Sequence, residues 1–343
     1  MTLVRMVLAL FGVLMVFSRF LPAVAAASGP WPDDHDHDAM AIDLGNSLYS
    51  ELFSELSRDH RFTREELDQL FQGLSVNKRV LELMDTQWEA KPYYLYRPRF
   101  VTDEMVREGK AKMAEYETLL KAIQEEFGVE KEAVIAIWGV ESRFGRKEGA
   151  FNVFQTLNSL FYAYPRRSQF YRGELIHFLL LCRENGVDPR NITGSYGGAF
   201  GQTQFIPSSF RQYAVDFDHN GKRDVWVSVP DILASIANYL HNFGWTLGAP
   251  LTAELGLDLK AQKLRDAFAQ GRSGLLPWNE VKELQQATIQ ALPEGQKLSI
   301  VGLELAEGGM RYVAGYPNFQ AITKWNNSNR YAMAVTELAA RFQ

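Results

Sequence analysis

Cysteine is almost absent: the 343 residues hold only Cys182, inside the apolar run HFLLLCRE. A single thiol excludes an internal disulfide framework and a cysteine-built metal cage, and Cys182 reads as a small buried core residue. An excess of positive charge is missing as well. Lysine and arginine number 36 against 41 acidic residues, giving a net charge of -5 and a pI near 5.8. No window concentrates the basic face that phosphate backbones require, which excludes nucleic acid as the main partner. Phosphate-loop glycine spacing and internal repeats are lacking too.

Long apolar runs are missing except at the start. Residues 1–27 carry Arg5, an apolar run over 6–17 and the small-residue stretch Ala23-Val24-Ala25-Ala26-Ala27 before Ser28. This is the pattern of a secretory signal peptide, too short and wrongly flanked for a stable membrane span. It predicts export to the periplasm as a soluble chain, because no cysteine stands beside the cleavage region to carry a lipid. Residues 28–38, including DDHDHD at 33–38, read as a flexible acidic leader, since no scaffold fixes their side chains as metal ligands. The whole chain is 46% hydrophobic and 13% aromatic, enough for a large core in two or three sub-domains.

Residues 39–128 read as an N-terminal helical sub-domain. Leu48, Leu52, Phe53 and Leu56 form one stripe, and Thr63 stands three residues before Glu66 as a capping box. The segment 91–102 (KPYYLYRPRFVT), broken by Pro92 and Pro98, reads as extended surface chain whose tyrosines line a sugar site or pack the loop down. Thr102 and Asp103 cap one long helix reaching about residue 127. A core over 129–245 follows, with helices predicted at 170–185, stopped by Gly186, and at 229–243. Residues 246–318 change character. A short helical lead-in precedes alternating runs at 297–305 and 310–314, set off by Glu294-Gly295 and Gly308-Gly309, which predicts a small antiparallel sheet. Residues 319–343 return to helix after an aromatic, Asn-rich loop at 323–331. The fold class is therefore mainly α (α+β), with the small β sub-domain inserted before the C-terminal helix.

One helix carries the chemistry. In residues 129–145 (VEKEAVIAIWGVESRFG), Ile137 and Trp138 fall three and four positions after Val134, and Glu141 falls seven after it. A carboxylate thus shares the buried stripe of an amphipathic helix. Gly145 reads as the left-handed residue that stops the helix, which leaves Glu141 in the last turn, at the negative end of the dipole. Desolvation and the dipole both disfavour the ionised form, so each raises its pKa, as a general acid requires. On this helix alone, a glutamate that reaches solvent or pairs with Arg143 or Arg146 is the competing reading.

Two further stretches stand out. Residues 195–210 (SYGGAFGQTQFIPSSF) combine Gly197, Gly198 and Gly201 with the amides of Gln202 and Gln204, which suits close backbone approach to hydroxyl and acetamido groups. In residues 216–231 (DFDHNGKRDVWVSVPD), Asp216, Asp218 and Asn220 occupy the first, third and fifth positions of a Ca²⁺ loop. Gly221 supplies the turn, the Lys222 carbonyl serves seventh and Asp224 ninth. The twelfth position is Val227 rather than Glu, and Asp231 closes an enlarged loop. These oxygen donors repel one another without a cation, although an Asx-rich turn without metal is the alternative.

Together GVESRFGR, YPRR, GAFGQTQFIPSSF, the cation-like loop and ASIANYLHNFGW resemble the membrane-bound lytic murein transglycosylase B family of lysozyme-like enzymes, here without a lipobox, from about Tyr96 to the C-terminus. The resemblance implies a lysozyme-like helical core and Glu141 as the sole catalytic acid/base. It implies substrate contacts at Tyr96, Arg166, Ser195, Gln204, Tyr239, Asn326 and Tyr331, with Trp325 where family members carry Tyr, which keeps the stacking face and changes the polar tip. The interval from Trp226 to Asp231 is one residue longer than in the shortest family version. The implied partner is the peptidoglycan glycan strand, met by a monomer that needs no cofactor for chemistry, with Ca²⁺ as a structural ion. Glycosidases normally use two carboxylates. Glu148 is the nearest second one in sequence, but its KEG setting reads as a solvated turn. One carboxyl suffices if the substrate supplies its own nucleophile, giving a 1,6-anhydro product. A lysozyme-type hydrolase and a catalytically silent peptidoglycan-binding protein are the rival readings.

Overall fold

Residues 40–85 and 91–343 are described by the computed structural model, so the signal-peptide and leader assignments lie outside the described residues. A short strand, β1 (Met40–Ala41), leads into α1 (Ser47–His60), whose Tyr49, Leu52, Phe53 and Leu56 are buried. Helix α2 (Arg64–Phe71) starts on the predicted capping box: Thr63 Oγ1 accepts from the Glu66 amide, and Glu66 Oε2 accepts from the Thr63 amide at 2.7 Å. Strand β2 (Ser75–Val76) pairs antiparallel with β1 and precedes α3 (Lys78–Asp85).

The segment 91–102 is not extended. It forms α4 (Tyr93–Tyr96) followed by a 3-10 turn over Arg97–Arg99, with Tyr93 and Tyr96 buried. Its prolines do not break it because each sits in a first turn, where no backbone N–H is needed. The single long helix expected after Thr102 is two, α5 (Asp103–Glu115) and α6 (Glu117–Phe127), interrupted at Tyr116 with φ -109° and ψ 24°.

Helix α7 (Lys131–Ser142) is buried on every side from Ala133 to Val140, so it is a core helix rather than an amphipathic one. Helices α5 and α6 pack against it. Strand β3 (Phe151–Asn152), α8 (Val153–Ala163), α9 (Ser168–Asn185) and β4 (Thr193–Gly194) follow, with β3 and β4 paired antiparallel. Gly186 ends α9 in the left-handed conformation, as its position predicts, and Cys182 is buried. Then come α10 (Pro207–Tyr213) and α11 (Val229–Asn242), and α11 completes one side of the nest around α7.

The region from 246 onward opens on a strand rather than a helix. Strand β5 (Thr252–Gly256), α12 (Gln262–Ala269), β6 (Leu275–Pro277), α13 (Trp278–Gln285), β7 (Lys297–Glu304) and β8 (Met310–Gly315) build a four-stranded antiparallel sheet in the order β5-β8-β7-β6. A separate small core, including Leu264, Val281, Leu298, Ile300 and Ala314, lies on this sheet. The chain closes with α14 (Pro317–Trp325) and α15 (Asn329–Ala340), so the Asn-rich loop shrinks to residues 326–328. Helix α15 packs against α7.

Candidate active site

Glu141 stands in the last turn of α7, half-buried. The stop is earlier than Gly145: Arg143, Phe144 and Gly145 are all left-handed, with φ of 50°, 58° and 87°. Ser142 ties this turn, its Oγ donating to the Trp138 carbonyl and accepting from the Gly145 amide at 3.0 Å. Phe144 folds back onto the helix against Trp138, with ring centroids 5.4 Å apart. Gly139 allows this return, since a Cβ there would lie 2.8 Å from the Phe144 ring.

The partner of Glu141 comes from the far end of the chain. Ser328 caps α15, and one turn in, the Tyr331 hydroxyl donates to Glu141 Oε1 at 2.5 Å. Tyr331 is buried, and its pKa is pushed well above the usual tyrosine value, first by burial and then by the Glu141 charge. It therefore remains a hydrogen-bond donor throughout the physiological range.

Beside this pair lies an aromatic cluster. Trp325 packs on Tyr239 and on Phe205, with centroids 4.6 and 4.9 Å apart. The Tyr239 hydroxyl donates to the Lys324 carbonyl at 2.6 Å, which fixes the end of α14. Tyr239 is thus buried and structurally committed, while Trp325 is half-buried. Tyr96 is buried against Phe100 and lies close enough to Tyr331 for charge on one to affect the other. Asn326 follows α14, and its carbonyl accepts from the Ser328 amide at 2.6 Å.

The glycine-rich block forms a tight loop under the cluster. Ser195 Oγ accepts from the amides of Gly197 and Ala199, so this hydroxyl shapes the turn. Gln204 adopts φ 49° and donates to the carbonyls of Glu148 and Gly201. Glu148 is not in a fully solvated turn: it is half-buried, and burial followed by the nearby Asp224 charge raises its pKa. Arg166 lies with the N-terminal helices, donating to Asp85 Oδ1 at 2.6 Å and to the Tyr164 hydroxyl at 3.0 Å.

Gln202 is the residue whose role the sequence does not reveal. Its Oε1 accepts from the Trp138 indole at 2.9 Å, its Nε2 donates to the Trp226 carbonyl at 2.7 Å, and its amide donates to the Val225 carbonyl at 2.8 Å. One side chain thereby joins the Glu141 helix to the 216–231 loop. Gly145 completes the fit, because a Cβ at that position would stand 2.5 Å from the Gln202 amide. The only sequence signal is an amide beside glycine, which equally suits a ligand-facing residue.

The loop itself brings Asp216, Asp218 and Asp231 together, with one carboxylate oxygen from each within 4.8 Å of the others. Asp216 accepts from the amides of Asn220 and Gly221, and Asn220 Oδ1 accepts from the Lys222 amide. Buried Asp231 accepts from the amides of Phe217 and Asp224 at 2.8 Å. Burial raises its pKa, against the pull of these backbone hydrogen bonds. Asp224 is used differently, its Oδ1 accepting from the amides of Trp226 and Val227. Three converging carboxylates form a hard-oxygen donor set that suits Ca²⁺.

A mainly helical core with small antiparallel sheets is the architecture of the lysozyme-like lytic transglycosylases. Residues 46–340 match the transglycosylase SLT domain. The chain is 33% identical over 330 residues to the membrane-bound lytic murein transglycosylase B of Escherichia coli, covering 91% of this chain and 88% of that one. The solved structure of the E. coli lytic transglycosylase Slt35 in complex with calcium superposes with a TM-score of 0.74 at 31% identity, over 90% of this chain and 97% of that one. SltB3 from Pseudomonas aeruginosa, in complex with NAG-NAM-pentapeptide, gives a TM-score of 0.72 at 33% identity, over 87% and 80%. The chain belongs to the transglycosylase SLT family and is a peptidoglycan-cleaving lyase. The match begins upstream of Tyr96, so the N-terminal helices are part of the family domain.

Proposed function

We propose that Glu141 is the single acid/base of a lytic transglycosylase that cuts the β-1,4 bond between N-acetylmuramic acid and N-acetylglucosamine. Glu141 donates its proton to the bridging oxygen as the bond from that oxygen to muramyl C1 breaks, and the glucosamine leaves as an alcohol. The positive centre at C1 is held by the neighbouring 2-acetamido group. Glu141, now a carboxylate, removes the proton from the muramyl C6 hydroxyl, whose oxygen closes on C1 to give the 1,6-anhydro ring. One residue therefore acts first as acid and then as base.

The observation that carries this reading is the hydrogen bond from Tyr331 to Glu141. It holds one carboxylate oxygen at the end of a core helix. The Tyr331 donor also stabilises the carboxylate that forms after proton transfer. Trp325 offers a face for pyranose stacking beside Tyr239. Tyr96, Arg166, Ser195, Gln204 and Asn326 line the path of the glycan in this reading, with Ser195 and Gln204 acting chiefly by shaping the loop.

Asp216, Asp218 and Asp231, with Asn220 and the Lys222 carbonyl, would hold a structural Ca²⁺, and the ion supplies rigidity rather than chemistry. Calcium in the Slt35 structure supports this assignment. The signal-like leader supports export, so the chain works in the periplasm, as a monomer, on glycan strands that carry peptides, the ligand type bound in the SltB3 complex.

Glu141→Gln is the test. The variant folds with the unaltered melting curve and releases no anhydro-muropeptides from purified murein. Products heavier by one water in mass spectrometry would make the unaltered enzyme a hydrolase, and activity retained by the variant would move the acid elsewhere.

A further inference from the structure

A cavity of about 330 Å³ lies between the sheet and the helices α14 and α15. It is lined by Arg272, Ser299, Thr323, Lys324, Asn327 and Asn329, among others. Arg272 comes from the 3-10 turn Gly271–Ser273, and Ser299 from β7. Two of the hydroxyls are already spent inside the protein, Ser299 donating to the Gly315 carbonyl and Thr323 to that of Gln320. The remaining capacity is specific. Arg272 and Lys324 are exposed cations with no ion pair among the described residues. Asn329 Oδ1 is a buried acceptor with no hydrogen-bond partner among them.

We propose that this cavity binds the carboxylate-bearing peptide stem of the glycan strand. Two cations call for an anion, and an unpaired amide oxygen calls for an N–H. An acidic peptide supplies both, whereas a phosphomonoester dianion supplies no donor. The location fits a branch of the substrate. The Lys324 carbonyl holds Tyr239, and Trp325, the next residue, stacks on it, so one residue of the cavity wall is the chain neighbour of the sugar face. The proposal rests on the reading that glycan occupies the cleft, and it assigns the sheet a function in substrate selection.

The experiment compares Arg272→Ala/Lys324→Ala with the unaltered enzyme on two substrates, peptide-bearing glycan strands and the same strands stripped by an amidase. On peptide-bearing strands KM rises at least about tenfold, the effect of losing even one of the two charge-assisted contacts, with kcat unchanged. On stripped strands both constants match those of the unaltered enzyme, and Arg272→Lys restores part of the loss. Calorimetry with the free stem tetrapeptide follows binding without chemistry: it shows heat with unaltered protein and none with the double variant, whichever sugar bond is cut. Equal loss on both substrates would place the contact on the sugar or its lactyl carboxylate. That outcome, or no loss on either substrate, overturns the proposal.

Discussion

Tyr331 and Glu141 are 190 residues apart and meet in a 2.5 Å hydrogen bond, with the phenol as donor. The pairing exists because α15 packs along α7 and Ser328 caps α15 one turn before the tyrosine. Tyr331→Phe removes the hydroxyl and keeps the buried ring. The variant is expected to fold normally, with stability lowered by about 1 kcal/mol for one lost hydrogen bond. Its kcat should fall about 10- to 100-fold, because the carboxylate loses its fixed orientation and a donor that favours its ionised form. Single-turnover rates on purified glycan strands check this, and an unchanged rate would remove Tyr331 from the mechanism.

Gln202 joins the same helix to the loop behind it. In Gln202→Leu the Trp138 indole N–H and the Trp226 carbonyl lose their partners together. Each buried group left unpaired costs about 1–3 kcal/mol, so a loss of about 3 kcal/mol is expected in urea unfolding. Because the bridge also positions the end of α7, activity should fall more steeply with temperature than in the unaltered protein. A midpoint shift below about 0.5 kcal/mol, the range of ordinary surface changes, would mean that water replaces the amide.

These two residues mark where the sequence is legible. Glu141 stands out locally as a carboxylate within an apolar helix, but that signal alone leaves the solvent or ion-pair reading open, and only the family motifs around it single it out. The capping box at Thr63 and the strands around Gly308-Gly309 are local in the same sense, and both are found as expected. Gln202 could not be placed, since its meaning lies in two tryptophans distant in sequence. The α4 turn was hidden because Pro92 and Pro98 read as breakers until their first-turn positions are known. Strand β5 exists only through its pairing with β8, some sixty residues on, and nothing in its own five residues announces that. The break at Tyr116 has neither proline nor glycine to signal it.

Glu304 clamps the sheet to the helices. Its carboxylate pairs with Arg330 of α15 and accepts from the Tyr93 amide at 2.9 Å. Burial alone would raise its pKa, but the Arg330 hydrogen bond and then the Tyr93 amide hold it below the usual 4.5. A depressed carboxylate contributes stability that is present above its unfolded pKa and lost as pH falls through its folded one. Glu304→Gln should therefore cost about 1–2 kcal/mol at neutral pH, and the difference from the unaltered protein should shrink as pH falls through the depressed folded pKa. Urea melts across that window check the sign. A difference that persists at the acid end would mean that packing, not charge, holds the sheet.

Asp231 has the opposite sign, and it makes the response to calcium depend on pH. Its raised pKa means that the metal-free protein gains stability from protonating it at low pH and loses that gain as pH rises through the folded value. The carboxylates of Asp216, Asp218 and Asp231 crowd one another, so a cation relieves a cost as well as forming bonds. Added Ca²⁺ should raise Tm at neutral pH, by about 2.7 kcal/mol of stability at a hundred times Kd. The gain should shrink as pH falls into the range where Asp231 takes up its proton. Asp218→Asn keeps an oxygen for the Asn220 amide and turns its NH2 toward the Ser228 hydroxyl, which can reverse and accept, so its metal-free Tm should stay near that of the unaltered protein while its response to Ca²⁺ falls. Calorimetric scans in chelator and in Ca²⁺, at neutral and acid pH, separate these outcomes. A Tm identical in chelator and Ca²⁺ at neutral pH would leave the three aspartates as a turn stabilised by backbone amides alone.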